Sequence, residues 1–457
     1  MRNHAIKEAG GDFCATTSLA EILGAFSYAL DLTEGQPAGH SLRACWISGQ
    51  MARTAAMSPA ARYTIYYATL LKDLGCSSNA ARIAELYLTD DRALKHDFKL
   101  LPQGLGPTLR FVLARTGENA RLPDRLRAVL RIVRDGEAIM RDVIRTRCTR
   151  GADIARQLRF PEEVAGAIMG LDEHWDGSGK PLGICGDAIP VASQFALLAQ
   201  IAEVFHRAAG AEAARAEISA RSGSWFKPEW VRLFLRTTAE ETFWSSLEDP
   251  DLEARVAALV PPETRMAVEE DYLDDIAAAF GAVIDAKSPF TGGHSTRVGD
   301  YAADVALGLG LKAESVRTLR RAAMLHDVGK LAVSSRILEK PGKLDAVEWE
   351  QMREHALHTT NILERIAPFR TMARIAGAHH ERLDGRGYPL GLDRSSIARE
   401  ARIITVCDFY DALTADRPYR AAMPIERALA IMNQEVGSAI DRECFEVLRA
   451  RVEQGRT

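Results

Sequence analysis

At 457 residues, 47% of them hydrophobic and 26% charged, the chain is long enough for two to four domains with their own cores, and its net charge of −4 excludes the basic footprint of a general nucleic-acid binder. No apolar run approaches the roughly 18 residues needed to span a bilayer, and the opening MRNHAIKEAGGDF carries no apolar signal-peptide core. The expectation is a cytoplasmic protein with neither a nucleic-acid nor a membrane partner. The seven cysteines, Cys14, Cys45, Cys76, Cys148, Cys185, Cys407 and Cys444, are odd in number, scattered and without a CxxC pair, which argues against a zinc ribbon or a disulfide framework. They read as buried or bystander thiols of a reducing compartment.

Apolar residues at helical spacing over Ser18 to Leu30 and Ser41 to Met57 predict two helices. Gly39-His40-Ser41-Leu42-Arg43 is echoed by Gly293-His294-Ser295-Thr296-Arg297, and LLKDLGC (Leu70 to Cys76) by MLHDVGK (Met324 to Lys330), both displaced by 254 positions. DGSGKP from Asp176 is echoed by DGRGYP from Asp384, now displaced by 208. The halves are therefore repeats, and the first carries 46 more residues between its second and third motifs. That surplus falls within Ser77 to Arg145, rich in Arg and Leu and broken by Pro102, Gly104, Gly106 and Pro107, which predicts added helices around a turn. Asp249-Pro250 and Pro261-Pro262 do not continue a helix and mark the boundary between the repeats. From Glu263 a helical pattern through Tyr272, Ile276, Phe280 and Ile284 runs to the stop at Gly292-Gly293. It either packs the halves together or is simply the first core helix of the second. The predicted fold is all-α, with two tandem helical bundles at 1–248 and 271–457 joined by a helical linker at 249–270.

The residues that carry chemistry concentrate in the second half. His294 follows two glycines at a helix start, and His326 and Asp327 are expected side by side on a helix packed through Ala322, Ala323, Leu325 and Val328, where neighbours diverge by about 100°. His355 stands alone, His379 and His380 precede a Gly-rich turn, and Asp408 lies in a further helical segment. Seven N and O donors exceed a tetrahedral site, and a mix of imidazole with carboxylate suits iron, manganese, nickel or zinc better than calcium or magnesium. Two divalent transition-metal ions bridged by one carboxylate would use them all.

The motifs GGHSTRV (Gly292 to Val298), LHDVGK (Leu325 to Lys330), LEKPGKL (Leu338 to Leu344), HHERLDGRGYP (His379 to Pro389) and DFYDALTADRPYR (Asp408 to Arg420) occur in an order that resembles the HD-GYP phosphohydrolases, which cleave cyclic di-GMP. The resemblance spans about Ser288 to Leu448 and turns the two bundles into HD-domain-like ones. It implies that His294, His326, Asp327, His355, His379, His380 and Asp408 are the metal ligands, with Asp327 bridging. It also implies that Lys330 neutralises developing charge or protonates the leaving group, and that Tyr388, Arg417 and Arg420 contact the guanine nucleotide or its phosphate. Some members take a third ion through a Glu four residues before the first His; here that position is Phe290, which leaves two. Asp384 would brace the turn, and Gly385, Gly387 and Pro389 would set its path.

At the matched positions the first repeat keeps His40 and Asp73 but has Lys72 for His326, Cys76 for Lys330, Arg147 for His355, Leu171 for His379, Asp172 for His380 and Gln200 for Asp408. Lysine and arginine offer no lone pair at neutral pH and repel a cation. The His174-Trp175-Asp176 cluster matches Arg382 rather than a ligand position and reads as loop structure. The first repeat is thus expected to be a catalytically dead copy that serves as a homodimer contact, a regulatory element or a protein-partner surface. The expected activity is hydrolysis of cyclic di-GMP to pGpG and onward to GMP. Two alternatives stay open: a phosphohydrolase for another cyclic dinucleotide or a nucleotide monophosphate, and a non-hydrolytic sensor that signals through the first repeat.

Overall fold

The computed structural model describes residues 17–101, 104–118, 120–416 and 421–455. Among them are 21 α-helices, and β structure is confined to three isolated bridges, so the fold is all-α. No described helix is long and apolar enough to cross a membrane. The six described cysteines are free, and all but Cys185 are buried. Local signals start the helices that matter. Ser18 caps Leu19–Thr33 and Asp345 caps Ala346–Glu364, each in a reciprocal box with a Glu three residues on. Gly39 and Gly293, at φ of +82° and +73°, turn the chain into His40–Thr54 and His294–Gly308, a conformation open to glycine at little cost.

The repeats share their internal contacts as well as their motifs. In the first, Ser41 donates from N and Oγ to Asp31, and Arg43 Nε donates to Glu203 at 2.6 Å. In the second, Ser295 donates from N and Oγ to Asp285, and Arg297 Nε donates to Asp411 at 2.6 Å. Gly75 and Gly329 let a helix press onto the chain in each half: a Cβ on either would stand 1.9 Å from a backbone oxygen, of Arg147 and of His355 respectively.

One apolar core runs through both halves. Phe26 stacks on Phe280 with centroids 3.6 Å apart and meets Phe369 edge-on at 5.8 Å. The helix expected from Glu263 begins at Glu270 and ends at Asp285, before the two glycines. It serves both roles left open above: it packs within the second half, while its Tyr272 hydroxyl donates to Leu158 O at 2.7 Å and its Asp271 and Asp275 pair with Arg159. Between the proline pairs the chain forms the short helix Leu252–Ala257, which buries Leu252 and Val256. The surplus of the first repeat builds Asp91–Lys99, Leu105–Arg115 and the leading turns of the 36-residue helix Leu122–Gln157, while Ala80–Tyr87 matches Ser335–Leu338 of the second.

Candidate metal centre

His294 is the first residue of its helix and is buried. Its Nδ1 lies 2.7 Å from Asp411 Oδ2, and Asp411 is also held by Arg297, one turn further along the same helix. Asp411 itself sits one turn after Asp408 on Arg399–Thr414, so the helix that carries one ligand orients another. Neither Asp411 nor Arg297 was singled out by sequence; the signal was present in DFYD, an acidic pair at i and i+3, and in the Arg three residues after His294. Second carboxylates of this kind fix imidazole orientation, so Asp411→Asn is expected to weaken metal affinity by about 10- to 100-fold while leaving the fold intact. Competition against a chelating dye measures it, and unchanged affinity would remove Asp411 from this role.

His326 and Asp327 lie beyond a helix, not on one as expected. Ala313–Met324 ends just before them and a 3-10 turn, Val328–Ala332, follows. The helix ends there because its terminal carbonyls find other donors: His326 Nδ1 is 2.6 Å from Ala323 O. His355 Nδ1 meets Met352 O and His379 Nδ1 meets Ala376 O in the same i−3 pattern. A carbonyl can only accept, so in all three rings Nδ1 carries a proton, which in the neutral ring leaves the lone pair on Nε2.

These Nε2 atoms converge on one carboxylate. Asp327 Oδ2 lies 3.6 Å from His294 Nε2 and 3.4 Å from His326 Nε2; its Oδ1 lies 3.5 Å from His355 Nε2 and 3.6 Å from His379 Nε2. Asp408 Oδ1 joins the first group, 3.6 Å from His294 Nε2 and 3.8 Å from His326 Nε2. His380 joins the second, its ring 4.0 Å from that of His379 and 5.0 Å from that of His355. Ligand atoms of His294, His326 and Asp327 fall within 4.8 Å of one another, as do those of His355, His379 and His380.

The electrostatics of the two groups differ. Burial drives His355 down to about 4 and His380 to about 3, and it holds His379 well below the usual imidazole range, so these three are neutral with free lone pairs. Burial opposes the charge on His294 too, but the carboxylates of Asp327, Asp411 and Asp408 outweigh it and push the ring up to about 9. Burial alone would raise Asp327, yet Lys330 and His326 bring it well below the ordinary carboxylate value. Asp327 Oδ1 and His326 Nε2 are buried and make no hydrogen bond among the described residues. Unpaired buried polar atoms cost several kcal/mol, in the range of about 2–7 each. Divalent cations beside them would remove that cost, so the donor set fits metal ions.

Around the cluster opens a cavity of about 500 Å³ whose lining includes His294, Asp327, Lys330, Phe290, Trp349 and three further lysines, Lys287, Lys340 and Lys343. Lys330 Nζ pairs with Asp327. Lys287 is buried, pushed down to about 8 by burial, and donates to Leu331 O at 3.1 Å. Lys340 and Lys343 belong to LEKPGKL, a motif that was recognised without assigning roles to its lysines. The Tyr388 ring lies 4.7 Å from that of His380, and Arg353 Cζ lies 5.1 Å from its centroid. Asp384 accepts from Arg386 N and pairs with Arg382, both within its own turn. Arg417 and Arg420 lie outside the described residues.

In the first half the matched positions are held by ion pairs. Lys72 pairs with Asp73, Arg147 with Asp172, and His40 with Glu203. Glu34, Asp73 and Cys76 also come within ligand reach of one another, but Lys95 and Lys99 hold Glu34, and burial keeps the Cys76 thiol well above its ordinary value. His174 donates to or accepts from Ser178 Oγ at 2.9 Å and stacks on Trp225 with centroids 4.0 Å apart, a loop contact.

Comparison with known proteins agrees with this layout. The family model described as HD domain matches residues 120–223 and 279–444, one stretch in each repeat. The 3'3'-cGAMP-specific phosphodiesterase 3 of Vibrio cholerae serotype O1 is 46% identical over 95% of this chain and 94% of its own length. A crystal structure of a cyclic GMP-AMP specific phosphodiesterase of V. cholerae covers 95% of this chain and 98% of its own at 42% identity, with a TM-score of 0.65. The cyclic di-GMP phosphodiesterase response regulator RpfG of Xanthomonas campestris pv. campestris is 41% identical over 35% of this chain and 43% of its own length. Motifs, all-α architecture and relatives agree: the chain belongs to the HD-domain family, among the phosphohydrolases of HD-GYP type.

Proposed function

We propose that the protein is a phosphodiesterase that uses two metal ions to open the ring of 3'3'-cyclic GMP-AMP, leaving a linear dinucleotide with a terminal 5'-phosphate. The observation that carries the reading is the placement of Asp327, with one carboxylate oxygen facing His294 and His326 and the other facing His355 and His379. His294, His326 and Asp408 would hold one ion, His355, His379 and His380 the other, and Asp327 would bridge; iron or manganese suits the donors best, with nickel or zinc next. When bound, the ions polarise the phosphodiester and acidify the attacking water.

The remaining roles belong to the chain. Lys287, Lys340 and Lys343 make the cavity cationic and draw in the non-bridging phosphate oxygens. As the water oxygen bonds to phosphorus and the bond from phosphorus to the ribose 3' oxygen breaks, the Lys330 ammonium supplies a proton to that oxygen, and the proton that the water loses restores the ammonium. Tyr388 and Trp349, with ring centroids 6.2 Å apart, offer aromatic faces beside the cluster for a base.

The substrate choice rests on the relatives. The one that matches both repeats is named for 3'3'-cGAMP, whereas RpfG, named for cyclic di-GMP, matches about a third of this chain. Cyclic di-GMP, which the motifs imply, is the second reading. After reconstitution with iron or manganese, kcat/KM for 3'3'-cGAMP is expected to exceed that for cyclic di-GMP by at least about tenfold, a difference of ~1.4 kcal/mol in transition-state binding. Equal rates, or a preference for cyclic di-GMP, would overturn the choice of substrate. Tight binding without turnover on any of several metals would favour a sensor.

A further inference from the structure

The first repeat retains a cavity where the second holds its metal cluster. Arg147, Asp172 and Gln200, which stand at the positions of His355, His380 and Asp408, all line it, and its volume is about 350 Å³. That lies within the range of about 300–1,000 Å³ typical of small-molecule sites.

The lining of this cavity is of two kinds. Its polar part carries five cations, Lys95, Lys99, Arg147, Lys180 and Arg221, with Glu34 and Asp172; Lys95 is also held by Asp91 and Arg221 by Glu217. Lys99 Nζ is buried and touches one acceptor, Glu34 Oε2 at 2.8 Å, while Arg147 Nε is buried with no hydrogen-bond partner among the described residues. An ammonium has three donors and a guanidinium five, so Lys99 and Arg147 have donors to spare. The rest of the lining is apolar: Ile83 and Leu86 come from Ala80–Tyr87, Phe98 from Asp91–Lys99, and Ile139, Val143 and Ile144 from Leu122–Gln157. Loss of the metal ligands has thus left a pocket with spare buried donors on one part of its lining and an apolar wall along the rest.

We propose that this cavity binds an amphipathic anion, a carboxylate carrying an aliphatic chain, with the carboxylate between Lys99 and Arg147 and the chain against the apolar wall. Its occupancy has a direct route to the catalytic half. Lys95, on the Asp91–Lys99 helix, bridges Glu34 at 3.2 Å to Asp91 at 3.8 Å. Asp91 in turn accepts from Ser335 N at 2.8 Å and faces Lys287 Nζ at 3.9 Å, while Arg92 Nη1 donates to Ala332 O. One short helix thus joins the polar part of this cavity to Lys287 and to the segment that follows Lys330.

Calorimetric titration of the full-length protein with decanoate, decanol and decyltrimethylammonium tests the proposal without any use of activity. Decanoate is expected to bind at least tenfold more tightly than decanol, and decyltrimethylammonium not to bind. Val143→Trp, which fills the apolar wall, should abolish decanoate binding. Leu126→Gln, on the exposed apolar stripe of the long helix, should leave it unchanged. Absence of decanoate binding, equal affinity for decanol, or full affinity in Val143→Trp would each overturn it. If Val143→Trp does not fold by circular dichroism, Ile83→Trp, from another helix of the apolar wall, replaces it, and the comparison of the three ligands on the unmodified protein decides the matter alone.

Discussion

Replacing His326 and Asp327 together by alanine is expected to lower turnover of the cyclic dinucleotide by at least about a thousandfold, equivalent to ~4 kcal/mol of transition-state stabilisation. The size follows from position. Among the described residues Asp327 is the only side chain whose two polar atoms face both groups of imidazoles, so its loss separates them, and the removal of His326 takes a further donor from the group around Oδ2. Lys330 would also lose the carboxylate that holds its ammonium at the cluster. Both residues are buried, but Lys330, left without its carboxylate, is partly exposed to water and His294 keeps Asp411 and Asp408, so the variant should fold. Product chromatography under saturating metal checks it; turnover within tenfold of wild type would mean that the chemistry happens elsewhere.

Gly329→Ala is expected to have the largest effect of any substitution that removes no polar group. The new Cβ would lie 1.9 Å from His355 O and 2.7 Å from Thr359 N, and both are backbone atoms of one helix, so neither can rotate away. That helix must retreat. It carries His355, and its Thr359 hydroxyl both accepts from Gly329 N at 3.0 Å and donates to His326 O at 2.8 Å. Overpacking of this kind costs about 1–3 kcal/mol, and a shift of about 1 Å at a reacting centre lowers the rate by roughly a hundredfold. Gly75→Ala, whose Cβ would meet Arg147 O at 1.9 Å, supplies the contrast. It should lower thermal stability to a similar extent while retaining most of the activity at temperatures where the variant is folded. Wild-type kcat/KM in Gly329→Ala would contradict the proposed dependence of the site on this contact.

What could be read from sequence and what could not divides along physical lines. The repeat was legible because a glycine that must take a positive φ, as at Gly39 and Gly293, leaves a fixed mark at a fixed displacement. The all-α fold followed from apolar spacing, since a face buried every three to four residues is visible without coordinates. The seven candidate ligands were legible as residue types that a solvated surface does not explain, and the structure brings all seven to one place. The local path at His326-Asp327 was misread as helical, because a helix end satisfied by an imidazole three residues on looks apolar and periodic up to its last turn. Asp411 was missed because a buried carboxylate that acts through a histidine and an arginine is indistinguishable in sequence from a solvated one. The surplus was visible in sequence, but the apolar wall beside Arg147 was not, because it depends on a fold that brings residues 83, 98 and 143 to one cavity.

Metal content of the purified, reconstituted protein tests the central claim most directly, because it counts ions without reference to any substrate. The account predicts about two transition-metal ions per chain in the wild type, and loss of both in the His326→Ala, Asp327→Ala variant. Fewer than one ion in the wild type, or an undiminished content in the variant, would contradict it.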